Sequence, residues 1–587
     1  MLLGLLEQSN SVSETLIGTP RPIDHGESRR DDAVKTSGDF TSRHTTPHPP
    51  VRRADSAQIL TSDDLERAVD ETISKHLANM PLRLIDTNDG CIYTISEIAQ
   101  RFKQSSQCRS LLAIDPVLPE TREHVEKSVQ SYLSYAMLSH RWGNEEPLYQ
   151  DVMGRCIYEM DSISPGVAKL QRFCRTATDC GFRWAWSDTC CIDKSSSSEL
   201  QESINSMFLW YRNSCLTIVY LSDVEDFSRG SLIRSEWFRR GWTLQEMLAP
   251  RAVQFYKSDW SLLLGSTGDV RLNHKEDPQL MSLLSDVTGI DLQSLKDFKP
   301  GLEAVRERLR WASRRTTTKI EDMAYALLGI FDLNLPVLYG EKEKAFTRLQ
   351  EEIMKGTDDT SLFDWVGKPS KANSCLASHP TCFASAPWTA PETQILGLPV
   401  EGLVTSIAVD LTASVVHTLG ALLKDPPLGH FIANGRMNMR FFVYPVFSIE
   451  HANPFREGAS FRYIVQASGL IPLSIKTSRR LESVTGRLSA GAFCVGRLWD
   501  NSLLSGPKSD PDDGTAASDS NSGGTHLWDP DNEGMIGHFA LWLQQPFVAQ
   551  LMMAYPGGPF RRIHTEERII AQPHDNSLLN LRTLIVR

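Results

Sequence analysis

The chain has 587 residues, 41% of them hydrophobic and 23% charged, which excludes a disulfide-held mini-protein, a fibrous repeat and a wholly disordered chain. Its 61 Lys and Arg residues against 72 Asp and Glu residues give a formal net charge of −11, which argues against non-specific binding of nucleic acid. At about 150 residues per domain, the length predicts three or four domains.

The first 60 residues predict no folded domain. Residues 1–60 are rich in Ser, Thr, Pro, Arg and Asp and indicate a disordered tail. The opening segment, MLLGLLEQSNS, lacks a basic region and is a poor secretory signal. No run approaches the roughly 18 apolar residues of a membrane helix, so no membrane span is predicted. Eleven cysteines without framework spacing fit reduced thiols, and a cytoplasmic location is expected.

An α/β domain is predicted over residues 81–265, after an amphipathic helix within 61–80. Three apolar runs read as buried strands: 135–139 (YAMLS), 184–186 (WAW) and 216–221 (LTIVYL). Amphipathic helical segments separate them, which is typical of a parallel sheet with flanking helices. Polar residues follow each run. Since the carboxyl ends of parallel strands face one crevice, a ligand site is expected there.

The remainder of the chain divides into two predicted parts. Residues 266–365 read as a helical extension, with one buried helix expected over 321–331 and an amphipathic helix over 341–354. Residues 366–587 contain β-type runs and predict a β-rich C-terminal domain, in which the Ser/Asp/Gly-rich segment 506–524 is expected to be a mobile loop.

Several motifs that would assign a function are missing. The sequence has no Walker A motif, no glycine-rich dinucleotide fingerprint and no H-E-x-x-H, and no metal site or bound cofactor is predicted. Cys190 and Cys191 with His140 could form a thiol nucleophile and its base, but a cysteine that ends a buried strand is more often core.

A run of arginines lies in the predicted extension. Alternating Glu303 and Glu307 favour a solvated helix face over an anion or partner site for this run. The arginines concerned are Arg306, Arg308, Arg310, Arg314 and Arg315.

Four sequence blocks resemble the fungal heterokaryon-incompatibility (HET) domain. They are 135–143 (YAMLSHRWG), 186–194 (WSDTCCIDK), 204–212 (INSMFLWYR) and 237–246 (WFRRGWTLQE), in the order and spacing of that family. Segments within 313–353 resemble the extension that often follows the domain, so the resemblance covers about residues 82–365.

HET domains are similar to TIR domains, which have a flavodoxin-like α/β fold. The resemblance implies a cytosolic effector in non-self recognition, regulated cell death and fungal innate immunity. Some TIR domains cleave NAD, whereas others only self-associate. In plant-like TIR sequences the catalytic carboxylate lies in a Trp-Cys-x-x-Glu-Leu motif, and residues 242–247 (WTLQEM) match it with Thr243 in place of the cysteine. The resemblance therefore implies Glu246 as the catalytic residue and NAD as a possible substrate.

A carboxylate at that position suits cleavage of the bond between nicotinamide and ribose, because the reaction passes through an oxocarbenium-like state. Ser139, His140 and Arg141 are candidates for ribose and phosphate contacts, and Asp188 for hydroxyl contacts. Trp142 and Trp242 are candidates for stacking on a ring. Each candidate also has a structural interpretation. Glu246 could stabilise a helix N-terminus, Asp188 could cap a loop, and the tryptophans could belong to the hydrophobic core.

Two hypotheses follow from the sequence. In the first, the domain hydrolyses NAD when clustered, with Glu246 in the central role. In the second, it is a non-enzymatic signalling module that self-associates and recruits partners. Both leave the trigger or regulatory protein unidentified.

Overall fold

The computed structural model describes residues 62–113, 121–265, 272–388, 431–433, 436–452, 460–478, 480–481, 492–498, 542–554, 558–574 and 580–586. The predicted tail, 1–60, and the predicted loop, 506–524, lie outside these residues. The helices are α1 Ser62–Leu77, α2 Ile95–Gln104, α3 Ser106–Leu112, α4 Thr121–Leu133, α5 Tyr149–Val152, α6 Pro165–Asp179, α7 Ser197–Asn213, α8 Arg229–Arg234, α9 Thr243–Leu248, α10 Pro278–Thr288, α11 Leu292–Lys296, α12 Val305–Ala312, α13 Asp322–Tyr325, α14 Leu328–Phe331 and α15 Lys344–Gly356. None of the helices in the described ranges is long and apolar enough to cross a membrane.

The strands form two sheets. The first contains β1 Arg83–Asp86, β2 Ile92–Thr94, β3 Tyr135–His140, β4 Trp184–Trp186, β5 Leu216–Tyr220 and β6 Val253–Tyr256. The second contains β7 Phe431–Ala433, β8 Arg436–His451, β9 Phe461–Ala467, β10 Leu473–Thr477, β11 Phe493–Leu498, β12 Phe547–Ala554, β13 Phe560–Arg562, β14 Ile569–Ala571 and β15 Asn580–Val586.

The first sheet has the strand order β2-β1-β4-β3-β5-β6, and its four strands from β4 to β6 are parallel. This confirms the predicted α/β class with flanking helices and all three predicted strands. The sheet also has an antiparallel edge, formed by β1 and β2, that the sequence did not indicate. At four and three residues, β1 and β2 are too short to give a clear alternation of apolar and polar residues.

The complete burial of β3 agrees with its place between β4 and β5 in the middle of the sheet. All six of its residues are buried, as expected for a strand covered on both faces by helices. The helix α6 begins at Pro165, where the missing N–H costs nothing, and α10 ends at Gly289 with a left-handed φ of 70°.

The extension confirms the predicted helical character but not the single helix over 321–331. Two short helices, α13 and α14, occupy that stretch. The carbonyl of Ile330 accepts hydrogen bonds from the Arg308 guanidinium at 2.6 Å and from the backbone N–H of Gly301 at 3.3 Å. Contacts with distant residues thus replace part of the continuous helical hydrogen bonding.

The arginine run is not a solvated face, and that prediction is wrong for three of its five members. Arg306, Arg308 and Arg315 are buried, and all three donate to backbone carbonyls. Arg306 also pairs with Asp364 at 2.7 Å. Long side chains of this type pack their stems in the interior when their charged ends find acceptors.

The C-terminal sheet is antiparallel except for one parallel pair, β13 with β15, which confirms the predicted β-rich region. One face contributes buried side chains such as Phe441 and Met552 to the large hydrophobic core that also contains the α/β sheet and the extension. The opposite face has its own core, with Phe442 and Leu551. The domain limits given by the sequence remain predictions.

Candidate functional site

A cavity of about 810 Å³ opens at the carboxyl ends of the parallel strands. Ligand pockets commonly have this size, and this is the position at which open α/β sheets bind their ligands. Of the sequence-predicted site residues, the structure places five on its wall: Arg141, Trp142, Asp188, Trp242 and Glu246.

Glu246 lies in the first turns of α9 and is only 5% exposed. One carboxyl oxygen, Oε2, accepts a hydrogen bond from the Ser139 hydroxyl at 2.5 Å. Burial, followed by the nearby charge of Asp188, raises the pKa of Glu246 to about 8, against the opposing effects of the Ser139 hydrogen bond, Arg240 and Arg315. A pKa of about 8 favours the protonated form of this carboxyl group at neutral pH.

Asp188 is the second carboxyl group of the cavity. It follows β4 in a turn closed by the hydrogen bond from the backbone N–H of Cys191 to the carbonyl of Ser187, at 2.9 Å. Its Oδ2 accepts a hydrogen bond from the Trp142 indole N–H at 2.8 Å. Burial raises the pKa of Asp188 above its usual range. Asp188 in turn raises the pKa of Glu246, and a pair of carboxyl groups in one site is typical of enzymes that cleave glycosidic bonds.

Basic side chains surround the two carboxyl groups. Lys169 is paired with Glu146, and the ammonium of Lys194 lies 4.1 Å from the Trp142 ring centroid. By contrast, the guanidinium groups of Arg141 and Arg240 make no hydrogen bond or ion pair within the described part of the chain. Unpaired guanidinium groups on a cavity wall are suited to binding phosphate.

Ser139 and His140 lie beneath the cavity, not on its wall. Ser139 is fully buried and connects two side chains, since its hydroxyl donates to Glu246 and accepts from the Trp237 indole N–H at 3.0 Å. His140 is 3% exposed, and neither of its ring nitrogens has a hydrogen-bond partner among the described residues. Burial and the charges of Lys169, Arg240 and Lys194 hold the pKa of His140 well below its usual range.

The extension supplies one side of the cavity, which the sequence did not indicate. Residues 316–319 together with Asp322 and Tyr339 line it opposite the strand ends. These residues lie in or next to the segments that resemble the extension of the HET family. Nothing in the sequence, however, indicated that those segments line the crevice.

Short backbone contacts join the extension to the loop before α9. The N–H of Gly241 donates to the carbonyl of Thr316 at 2.9 Å, and the N–H of Thr316 donates to the carbonyl of Arg239 at 2.6 Å. A Cβ atom at Gly241 would lie 2.5 Å from the Thr317 side chain, so only glycine fits here. The buried Arg315 donates to the Arg240 carbonyl and to the Thr243 hydroxyl, both at 2.9 Å. We call these contacts the backbone clamp.

The thiols do not form the alternative nucleophilic site. Cys190 and Cys191 are buried and do not line the cavity. The neighbouring Cys191 and burial raise the pKa of Cys190 well above its usual range, so its thiolate is disfavoured. All eleven cysteines carry free thiols. Within the described residues, no three His, Cys, Asp or Glu side chains are grouped so as to hold a metal ion.

Comparisons with known proteins identify part of the chain. The family described as "Heterokaryon incompatibility protein (HET)" matches residues 135–235. The "Vegetative incompatibility protein HET-E-1" of Podospora anserina is 43% identical over 244 residues, which cover 39% of this chain and 17% of that relative. The match thus spans about a sixth of the relative's length. No solved structure gives a significant match. The chain therefore contains a segment, residues 135–235, that is similar to the heterokaryon-incompatibility (HET) domain.

Proposed function

We propose that this chain is an effector of vegetative incompatibility whose HET domain hydrolyses NAD at the bond between nicotinamide and ribose. The incompatibility role is supported by the family match and by the name of the relative. The chemistry is supported by one observation above all: the buried carboxyl group of Glu246 and the partly exposed one of Asp188 share a cavity with the unpaired guanidinium of Arg240.

The proposed reaction needs an anionic group more than an acid. The bond between ribose C1′ and the nicotinamide nitrogen breaks, and its electron pair neutralises the cationic ring. Water then adds to C1′ and releases a proton, which yields nicotinamide and ADP-ribose. The carboxylate of Glu246 stabilises the positive charge that develops on the ribose.

Glu246 must lose its proton before it can act. A cationic ring beside the carboxyl group favours the ionised form, because an opposite charge nearby lowers the pKa of an acid. Ser139 donates its hydroxyl proton to Oε2 and so supports the carboxylate. Arg141 and Arg240 would bind the phosphates, Asp188 the ribose hydroxyls, and the Trp142 ring, oriented through Asp188, would lie beside the departing nicotinamide.

Release of nicotinamide from NAD tests the proposal. The full chain is assayed at high concentration, beside Glu246→Gln and a matched control, Glu303→Gln, whose side chain is exposed in the extension. We expect Glu246→Gln to lower the rate by at least about a hundredfold and the control to leave it unchanged. Equal activity in all three proteins would reject Glu246 as the catalytic residue. No release in any of them would favour the non-enzymatic signalling module.

Self-association through the HET domain is the second part of the proposal. Ile163 and Met153, in the segment between α5 and α6, are 86% and 60% exposed, and exposed apolar side chains favour protein contacts. Sedimentation of the full chain should show oligomers that the double substitution Met153→Lys, Ile163→Lys dissociates. A monomer at every concentration would contradict this part. The cytoplasm, where NAD is present, is the proposed site of action.

A further inference from the structure

Four side chains form a cluster at the side of the cavity that the extension supplies. Trp242 comes from the HET domain, and Lys319, Asp322 and Tyr339 come from the extension; we call them the aromatic cluster. The two rings are partly exposed to the cavity, whereas the carboxyl group between them is buried. The proposed reaction gives no role to the residues from the extension.

Asp322 fixes the orientation of the Tyr339 ring and lies beside Trp242. Its Oδ1 accepts a hydrogen bond from the Tyr339 hydroxyl at 2.9 Å, and the nearby Trp242 side chain favours the ionised form of its carboxyl group. The ammonium of Lys319 lies 3.6 Å from the Tyr339 ring centroid. Rings held in this way lose little conformational freedom when a ligand stacks on them, which favours binding.

The aromatic cluster is electrostatically distinct from the carboxyl pair. Among charged groups, Lys319 and Glu321 act most on Asp322, whereas Asp188, Arg240 and Arg315 act most on Glu246. A second tryptophan, Trp142, belongs to the carboxyl pair through its bond to Asp188. The cavity thus has two aromatic positions: Trp142 is held by Asp188, and Tyr339, beside Trp242, is held by Asp322. The unpaired Arg240 lines the same cavity.

This arrangement matches a ligand with two flat rings joined by phosphates. Resting on the proposed function, we propose that the aromatic cluster is a subsite for the second base of the dinucleotide, the purine, and that the extension therefore determines which nucleotide the cavity accepts. The purine stacks on Trp242, and its polar edge faces Lys319 and the exposed Thr318. Stacking tolerates different bases, whereas these polar groups discriminate among them.

Binding of ADP, compared with inorganic pyrophosphate, tests the subsite without any hydrolysis. Calorimetry on the full chain should give a dissociation constant for ADP at least about tenfold lower than that for pyrophosphate, because only ADP carries the base. Trp242→Leu should remove most of this difference and leave pyrophosphate binding unchanged. Tyr339→Phe keeps the ring but breaks its bond to Asp322, so a smaller loss, of about two- to threefold, is expected.

Two further proteins keep the test decisive. If Trp242→Leu lowers the melting temperature, Lys319→Ala, on a partly exposed side chain, replaces it, with Lys296→Ala as an exposed control outside the cavity. Equal affinities for ADP and pyrophosphate, absence of binding by either, or an ADP preference that survives both substitutions would each overturn the subsite. The NAD assay is independent: nicotinamide release without an ADP preference would reject the subsite and keep the proposed reaction.

Discussion

Buried arginines hold two parts of the chain together in one region of the molecule, whereas polar side chains without hydrogen-bond partners lie at a cavity in another. At the seam between the extension and the C-terminal sheet, Arg562 donates to the carbonyls of Phe363 and Trp365 at 2.9 and 2.7 Å. Asp364, between them in sequence, pairs with Arg306 and Arg568, both at 2.7 Å. The buried charges of this seam serve to hold two parts of the chain together.

The cavity at the parallel strand ends differs. Within the described residues, the ring of His140 has no hydrogen-bond partner, and the guanidinium of Arg240 makes no hydrogen bond or ion pair. The raised pKa of Glu246 favours the neutral form of its carboxyl group. Leaving a buried polar group such as His140 without a partner costs stability, whereas the half-buried guanidinium of Arg240 on the cavity wall is available to a ligand. Polar groups that line a cavity without protein partners, more than the amount of buried charge, distinguish this candidate active site from the seam.

The largest expected effect is at the seam. Arg562→Leu should lower the free energy of unfolding by about 3 kcal/mol, because two buried carbonyls lose a charged donor. Urea unfolding of the full chain measures this loss. The exposed Arg314→Leu should change it by less than about 0.5 kcal/mol. Similar losses for both variants would show that the buried guanidinium is not needed for stability.

At the cavity, removing an ionisable group should increase the free energy of unfolding instead of lowering it. Glu246→Gln should raise the free energy of unfolding by about 1 to 2 kcal/mol at pH 8.5, because the amide keeps an acceptor for Ser139 and has no charge to desolvate. The folded-state pKa of about 8 exceeds the usual value of 4.5, so the wild-type chain loses stability as the pH rises from about 4.5 to 8.

Unfolding of both proteins at pH 4 and pH 8.5 measures this difference. The gain should be present at the higher pH and nearly vanish at the lower one, where Glu246 carries its proton in both the folded and unfolded states. Destabilisation by Glu246→Gln at pH 8.5 would contradict the described protonation of the buried carboxyl group.

The smallest effect concerns the coupling between the two carboxyl groups. We expect kcat/KM for NAD cleavage to rise with pH, with a midpoint at about pH 8, as Glu246 ionises in the free protein. Asp188→Asn removes a like charge and should lower this midpoint by up to about one pH unit. The exposed Asp286→Asn should leave it in place. An unchanged midpoint in Asp188→Asn would show that the two carboxyl groups do not interact.

The sequence predicted the part of the fold that hydrophobic pattern determines. Runs such as 135–139 and 216–221 are apolar over a length that identifies a buried strand, and β3 and β5 are found there. The strand β6, VQFY, was missed because Gln254 interrupts its apolar run. In the structure the side chain of Gln254 is buried and donates to the carbonyl of Leu272 at 2.9 Å, a contact that no local pattern reveals.

The site residues that the sequence did not indicate are brought to the cavity by contacts between distant parts of the chain. The sequence indicated Glu246, Asp188 and Trp142 from the strand ends and the family resemblance, and the structure brings them to one cavity. It did not indicate Asp322 or Tyr339, which reach the cavity through contacts between residues about 75 positions apart. The family match also ends at residue 235, before Glu246, so the catalytic role given to this residue stays a prediction.

The backbone clamp has a mechanical consequence. Because two of its hydrogen bonds run between main-chain groups, a side-chain rearrangement alone does not release the extension from the loop that precedes Glu246. Separating the two walls requires breaking the pairs at Gly241 and Thr316 together with both Arg315 bonds, each worth about 1 kcal/mol or more. A force that displaces the extension is therefore transmitted directly to the turn carrying the carboxyl group.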